Sequence, residues 1–108
     1  MSSMMFKKSS KYNSNADVIL FHGDCLDLLW ESPDESIQLI VTSPPYNLDK
    51  RYETNLPMKK YVGWQQEVVA GCNRVLNPRG SICWQTGNIV ECGEIYPIDS
   101  LLFPIFHN

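Results

Sequence analysis

An alternating apolar run that ends in two consecutive prolines constrains the fold of this chain more than any other stretch. Ile37 to Val41 alternates as a buried strand does, and it continues through Thr42 into Ser43-Pro44-Pro45-Tyr46-Asn47. Proline cannot donate to a sheet ladder, and it holds the residue before it in an extended conformation. The sequence therefore predicts a stiff turn at the carboxyl end of a strand, which is the edge where open α/β sheets bind ligands.

This turn places hydrogen-bond acceptors beside an aromatic ring. The carbonyls of Ser43 and Pro44 cannot enter a regular ladder and stay available, the Ser43 hydroxyl lies with them, and Tyr46 follows. Two acceptors that converge on an amino group beside an aromatic face suit a flat ring with an exocyclic NH2. The alternative is a Pro-Pro turn that closes the strand for structural reasons alone, because such turns are common.

The segment Ser43-Pro44-Pro45-Tyr46 resembles the S/N/D-P-P-Y/F signature of the DNA amino-methyltransferases, which act on cytosine N4 or adenine N6. Three further segments resemble that family in its order: Gly23-Asp24-Cys25-Leu26, Asn77-Pro78-Arg79-Gly80-Ser81 and Tyr96-Pro97-Ile98-Asp99. The resemblance covers most of the chain, roughly residues 18–108. It implies S-adenosylmethionine as methyl donor, DNA as substrate and a cognate restriction enzyme as partner.

The resemblance also implies roles for individual residues. The Ser43 hydroxyl and the Pro44 carbonyl would accept hydrogen bonds from the target amine, Pro45 would keep the turn rigid, and Tyr46 would stack on the flipped base. Accepting these hydrogen bonds concentrates electron density on a poorly nucleophilic aryl amine and favours in-line attack on a methyl sulfonium. Asp24 would bind the adenine amino group of S-adenosylmethionine, although a plain helix N-cap is an alternative reading.

The sequence leaves the substrate open. Ser in the first position of the signature leans toward cytosine N4, but adenine N6 presents a similar amine to the same acceptors. An RNA or protein-amide methyltransferase, a non-catalytic subunit and a truncated product are the rival interpretations.

Hydrophobic periodicity predicts an α/β fold, as part of a doubly wound, mainly parallel sheet of the Rossmann-like methyltransferase type. Leu26, Leu28, Leu29 and Trp30 are expected to face the sheet from a short helix capped by Asp24. The other predicted elements are strands at Val18–Phe21, Ile37–Thr42 and Ser81–Gln85, and helices at Pro57–Leu76 and Pro97–Phe106.

Two segments are predicted: a flexible tail over residues 1–16 and the catalytic-motif half of a methyltransferase domain over residues 17–108. The family's glycine-rich F-x-G-x-G element does not occur in the sequence. The chain therefore resembles the amino-terminal piece of the permuted class in which the catalytic motif comes first. We expect such a piece to be inactive alone, to expose an apolar strand edge and to self-associate.

Composition excludes few function classes. The net charge of −3 does not favour a self-sufficient nucleic-acid-binding module. Lys50, Arg51, Lys59 and Lys60 could contact phosphates, but acidic residues are interleaved with them and a solvated loop is equally compatible.

The remaining predictions concern metals and compartment. The four cysteines form no C-x-x-C pair, and no histidine follows them at metal-ligand spacing, so free thiols in a reducing compartment and no metal site are expected. The polar first ten residues do not form a signal peptide. The apolar run near the end of the chain is too short to span a bilayer. The sequence therefore predicts a soluble, cytoplasmic protein.

Overall fold

The structure, a computed structural model, describes residues 5–44 and 57–106. Within these ranges strands and helices alternate for most of the length, as in an α/β protein. In chain order the elements are β1 (Lys8–Ser9), β2 (Val18–Ile19), α1 (Cys25–Glu31), β3 (Ile37–Thr42), α2 (Met58–Val75), β4 (Leu76–Trp84), β5 (Asn88–Glu91), β6 (Glu94–Pro97) and α3 (Ile98–Phe106).

The described strands form three two-stranded sheets. Strands β1 and β2 are parallel, β3 and β4 are parallel, and β5 and β6 are antiparallel. The β3–β4 pair runs in register from Leu39 opposite Ser81 to Thr42 opposite Trp84. The α/β class with parallel strand pairs is thus confirmed. In the described part of the chain β2 pairs with β1 rather than with β3, so the predicted single sheet is not continuous there.

The strand predicted at Val18–Phe21 is shorter in the structure, and it pairs with a partner that the sequence did not reveal. Strand β2 ends at Ile19, and β1 lies inside the segment predicted as a tail. Backbone hydrogen bonds from Val18 N to the Lys7 carbonyl (3.1 Å) and from Leu20 N to the Ser9 carbonyl (2.9 Å) join the two segments. Such a pairing depends on contacts about ten residues apart, which local periodicity does not encode.

Helix α1 begins at the predicted cap. The Asp24 carboxylate accepts a hydrogen bond from Leu26 N at 2.9 Å, as N-cap residues do. The helix ends at Glu31, and the backbone N–H of the next residue, Ser32, donates to the carbonyls of Leu28 and Leu29. The Ser32 hydroxyl also donates to the Leu28 carbonyl, at 2.7 Å. Both ends of this short helix are therefore defined by polar groups.

Trp30 does not face the sheet as predicted, because its side chain is 84% exposed. In an α-helix, residues two positions apart in sequence are separated by about 200° around the helix axis. The Trp30 side chain therefore points away from the side on which Leu28 lies. Leu28 lies on the side of α1 that faces the core. The prediction failed because Leu28, Leu29 and Trp30 are consecutive, and three consecutive side chains cannot all lie on one face of a helix.

Helix α2 carries the most regular pattern in the chain. Its buried side chains recur every three or four residues, so they lie on one face: Tyr61, Gln65, Val68, Val69, Cys72 and Val75. Pro57 immediately precedes the first helical residue, close to its predicted position. The helix ends at Val75, and β4 starts at the next residue rather than at Ser81. The predicted stop over residues 77–80 therefore forms part of an irregular strand.

The irregular start of β4 depends on Gly80. A Cβ atom at that position would lie 2.7 Å from Leu76 Cγ and Cδ1 and 3.0 Å from the Asn77 carbonyl oxygen. The strand register shifts in the same region, between the pairing partners of Ile37 and Leu39. A side chain at position 80 would therefore force the bulge to change shape.

Arg74 connects the end of α2 to the end of α1. Its Nη2 donates to the carbonyls of Leu29 and Ser32, the second at 3.1 Å, and its Nη1 forms an ion pair with Asp34. The backbone N–H of Glu35 also donates to the Arg74 carbonyl. Because the last carbonyls of a helix have no partner within it, the guanidinium acts as a C-terminal cap for α1.

We expect Arg74→Met to lower the free energy of unfolding by about 1–3 kcal/mol, because it removes the guanidinium donor of the half-buried Ser32 carbonyl and the second donor of the Leu29 carbonyl. Asp34→Asn should cost less than about 1 kcal/mol, since the Asp34 side chain is mostly exposed and exposed ion pairs contribute little. Urea denaturation of both variants measures the difference. Equal losses in the two variants would show that the ion pair, and not the cap, is the important contact.

The core lies between α2 and α3. Tyr61, Ile98 and Leu102 form a buried cluster, and Trp84 and Phe106 pack at its margin with ring centroids 5.5 Å apart. Helix α3 continues through Pro104 to Phe106, so the predicted helix is confirmed within one residue at its start.

The antiparallel β5–β6 hairpin was not predicted. Its turn consists of Cys92 and Gly93, which have φ angles of 51° and 81°. A two-residue hairpin turn with both φ angles positive is favoured by the right-handed twist of strands, and it usually carries Asn or Asp before the Gly. Because Cys92 stands where Asn or Asp is usual, the sequence lacks the dipeptide from which such a turn is predicted.

Candidate active site

The predicted platform lies where the carboxyl ends of two parallel strands meet. Thr42 is opposite Trp84 at this edge, and Gln85 N donates to the Thr42 carbonyl at 3.0 Å. Ser43 follows with an exposed side chain, and Pro44 is half-buried. Strands β3 and β4 therefore hold the first half of the turn at the edge where α/β sheets bind ligands.

The second half of the predicted turn is outside the described residues. Pro45 and Tyr46 lie in the interval 45–56, as do Lys50 and Arg51. Their proposed roles remain predictions. Lys59, in the first turn of α2, is described and is exposed.

A cavity of about 450 Å³ lies between helices α1 and α2 and the β3–β4 sheet, and it reaches Ser43 and Pro44. Most of its lining is apolar and includes Leu28, Leu29, Ile40, Trp64, Val68 and Trp84. Such a lining suits a flat aromatic ligand that is held by a few polar groups.

Ser43 also lines a second, more open cavity of about 560 Å³, together with Val41, Cys83 and Gln85. Because side chains alternate along a strand, Val41 points to the face of β3 opposite Ile40. Leu39 and Val41 on that face are 58% and 69% exposed. Ser43 thus stands at the rim where the two faces of the sheet meet.

Asp24 lies beside the first cavity rather than in it. Its carboxylate is exposed and uses one oxygen, Oδ1, to cap α1. Its neighbour Cys25 lines the cavity with Pro44 and Ser43. Ser43, Pro44 and Cys25 therefore line the same cavity, and Asp24, which precedes Cys25 in the chain, is not part of that lining.

Sequence reasoning missed Gln65, a polar residue in the wall of this cavity. Its side chain is 1% exposed, and its Oε1 accepts a hydrogen bond from Trp84 Nε1 at 3.0 Å. The signal was present: Gln65 stands four residues after Tyr61 and three before Val68, on the buried face of α2. A polar residue at an apolar position of a helical repeat indicates a buried amide.

Two thiols also line the cavity. Burial raises the pKa of Cys25, and the neighbouring Asp24 carboxylate raises it further. Burial, with a smaller contribution from Cys25, raises the pKa of Cys72 from 9.0 to about 11. Both thiols are therefore neutral at physiological pH, which argues against a nucleophilic role for either.

We expect iodoacetamide at pH 8 to modify the exposed Cys83 readily and Cys72 at least about 100-fold more slowly, because thiolate is the reactive form. Since the pKa of Cys72 is higher in the folded than in the unfolded state, the unfolded state loses its proton first. The stability that the buried, neutral Cys72 thiol contributes is therefore complete below pH 9 and is lost as pH rises toward 11. Mass spectrometry after timed labelling measures the rates. Similar rates at both cysteines would contradict the burial of Cys72.

The described residues contain no group of three or more His, Cys, Asp or Glu side chains that could hold a metal ion. No helix in the same part of the chain is long and apolar enough to cross a membrane.

Comparison with known proteins gives the family. A family model described as DNA methylase, of the N6/N4 type, matches residues 37–94, which is more than half of the chain. The chain belongs to this family of DNA amino-methyltransferases. The matched stretch runs from the start of β3 through α2 and β4, and it contains the predicted platform.

Individual relatives agree with this assignment. The chain is 43% identical over 90 residues to the Type II methyltransferase M.BglII of Bacillus subtilis, an alignment that covers 82% of this chain and 25% of that protein. It is 34% identical over 100 residues to the DNA adenine methyltransferase YhdJ of Escherichia coli, covering 84% of this chain and 34% of the relative.

A solved structure shows the same architecture. The PvuII DNA methyltransferase, described as cytosine-N4-specific, superposes with a TM-score of 0.65 at 32% identity, over 78% of this chain and 31% of that one. Its similarity supports a partial methyltransferase fold. The chain spans about a quarter to a third of the length of these relatives.

Proposed function

We propose that this chain is the catalytic-motif portion of a site-specific DNA methyltransferase. The whole enzyme would transfer a methyl group from S-adenosylmethionine to the exocyclic amine of a flipped base, either N4 of cytosine or N6 of adenine. The observation that supports this most strongly is the position of Ser43 and Pro44. They lie at the carboxyl end of a parallel strand pair, on the rim of a ring-sized apolar cavity, and within the stretch that matches the family.

The chain's own residues act on the target amine. The Ser43 hydroxyl and the Pro44 carbonyl accept hydrogen bonds from the NH2 group, which draws electron density toward the nitrogen and fixes its position. Pro45 limits the movement of the turn, and Tyr46 stacks on the base after it leaves the helix. Bound S-adenosylmethionine supplies an electrophilic methyl group on its sulfonium.

Asp24 fits one contact to this cofactor. Its carboxylate is exposed and engages Leu26 N through Oδ1, so it keeps capacity to accept from an amino group such as that of adenine. The chain lacks the glycine-rich turn that would bring backbone close to the rest of the cofactor. We therefore propose that the 108 residues alone are inactive and require the glycine-rich half and the target-recognition region.

The doubly wound sheet, the permuted motif order, a cytoplasmic location and a cognate restriction enzyme belong to the same proposal. We place cytosine N4 before adenine N6, because Ser43 holds the first position of the signature. The structural similarity to a cytosine-N4-specific enzyme supports this order.

A chimera tests the proposal. The chain replaces the corresponding residues of M.BglII, and the purified protein is incubated with DNA and S-adenosylmethionine that is labelled in the methyl group. Digestion to nucleosides should give labelled N4-methylcytosine or N6-methyladenine. A chimera that unfolds cooperatively but labels no DNA, when M.BglII labels it, would overturn the proposal. Labelling of RNA or protein alone would favour the rival substrates.

A further inference from the structure

The side-chain amide of Gln65 is buried in the cavity wall, and its NH2 group is unpaired within the described part of the chain. Its Nε2 has no partner among the described residues, although the side chain is 1% exposed. The orientation of the amide is determined by chemistry, because the Trp84 indole N–H can only donate and must face the oxygen. The unused group is therefore a donor.

A buried donor without an acceptor costs free energy, so its presence needs an explanation. The hydrogen bond from the Trp84 indole accounts for the amide oxygen of Gln65, but it does not account for Nε2, which lies in a mostly apolar wall and is unpaired among the described residues. The same cavity reaches Ser43 and Pro44. The lining of one space thus includes the Gln65 side chain, two groups that can accept, and aromatic side chains.

This combination matches one edge of an aminated heteroaromatic ring. In cytosine and in adenine, the carbon that carries the exocyclic amine also bears an unprotonated ring nitrogen, N3 or N1. That edge presents donors and an acceptor side by side. Thymine presents a carbonyl oxygen and an N–H at the corresponding positions, which is the opposite pattern.

We propose that Gln65 is a specificity-determining residue that donates a hydrogen bond from Nε2 to the ring nitrogen beside the reactive amine. This inference rests on the proposed function and names a further contact in the same site. Ser43 and Pro44 accept from the amine, Gln65 donates to the adjacent nitrogen, and Trp84 holds the Gln65 amide in the donating orientation. A base with a protonated nitrogen at that place would leave two donors facing each other.

The test uses the active full-length enzyme that contains this chain, or the M.BglII chimera, with a target base in which that ring nitrogen is replaced by C–H. Gln65→Leu should lower kcat/KM on normal DNA by about tenfold, and the base analogue should lower that of the unsubstituted enzyme by a similar factor. Because both changes remove the same hydrogen bond, Gln65→Leu should cause no further loss on the analogue. If the losses in kcat/KM from Gln65→Leu and from the base analogue multiplied when the two were combined, the proposal would be overturned. No loss of kcat/KM in Gln65→Leu on normal DNA would overturn it too.

Two controls keep this result separate from other causes. Gln66→Leu makes the same change one residue away on an exposed position of α2 and should leave kcat/KM within about twofold. If Gln65→Leu does not fold, Trp84→Phe removes the indole donor and frees the amide to rotate. Trp84→Phe should reduce kcat/KM on normal DNA but not on DNA with the base analogue. An equal reduction of kcat/KM on both substrates would count against the proposal.

Two further measurements separate this contact from the proposed function. A rise in KM for S-adenosylmethionine, with unchanged dependence on the base analogue, would assign Gln65 to the cofactor and overturn its role at the base. Ser43→Ala should abolish most activity whether or not Gln65 contacts the base. Loss of activity in Ser43→Ala with none in Gln65→Leu would therefore reject this inference alone.

Discussion

Replacing Ser43 by alanine should reduce the rate of methyl transfer by about 100–1,000-fold in the completed enzyme, with little change in stability. This is the usual effect of removing one preorganised polar group that stabilises charge in a transition state. The side chain is exposed at the end of β3, so its removal creates no cavity. Single-turnover transfer of labelled methyl groups isolates the chemical step from product release.

Ser81→Ala is the matched control for this change. Ser81 is also exposed, but it lies on β4 opposite Leu39, three residues before the edge that carries the platform. The rate of methyl transfer by Ser81→Ala should stay within about twofold of that of the unsubstituted enzyme. If Ser43→Ala transferred methyl groups as fast as Ser81→Ala, the Ser43 hydroxyl would have no catalytic role, and the Pro-Pro turn would be structural.

The parts of the fold that could be predicted are those with a local cause. The apolar residues of α2 recur at helical spacing over 18 residues, so chance agreement is small and the helix was found almost complete. The Asp24 cap has a local chemical cause, since a short polar side chain competes for the first free N–H groups of a helix. The end of β3 before the prolines has one too, because proline has no N–H for the ladder.

The features that were missed depend on distant or unusual partners. Strand β1 pairs with β2, and a two-residue strand leaves no period to detect. The hairpin turn at Cys92 uses a residue that seldom adopts positive φ, so it lacked the usual Asn-Gly or Asp-Gly signal.

The candidate site also has one part that could be predicted from the local sequence and one part that depends on a distant partner. The position of Ser43 and Pro44 followed from the strand and the prolines, and the structure places both on a cavity rim. The donor of Gln65 could not be predicted, because its significance depends on Trp84, which is nineteen residues away and uses the amide oxygen. Sequence reveals a polar residue on a buried face, but only the packing shows which of its atoms remains free.

Leu102→Ala should lower the free energy of unfolding by about 2–5 kcal/mol, the largest stability effect that we expect from any leucine in α3. Leu102 is 2% exposed and belongs to the buried cluster with Tyr61 and Ile98, so its truncation leaves a cavity between α2 and α3. Leu101→Ala is the matched control, because it makes the same chemical change in the same helix at a residue that is 39% exposed. Helix propensity changes equally in both variants, and the control should lose less than about 1 kcal/mol.

Urea denaturation followed by tryptophan fluorescence measures both variants, since Trp84 packs against this cluster. Because the two substitutions differ only in burial, their difference reports how firmly α3 is docked on α2. Equal losses would mean that α3 does not pack against Tyr61, and the core would then end with α2. A large difference would show that the segment after the hairpin is part of the folding unit that holds β4 and the platform in place.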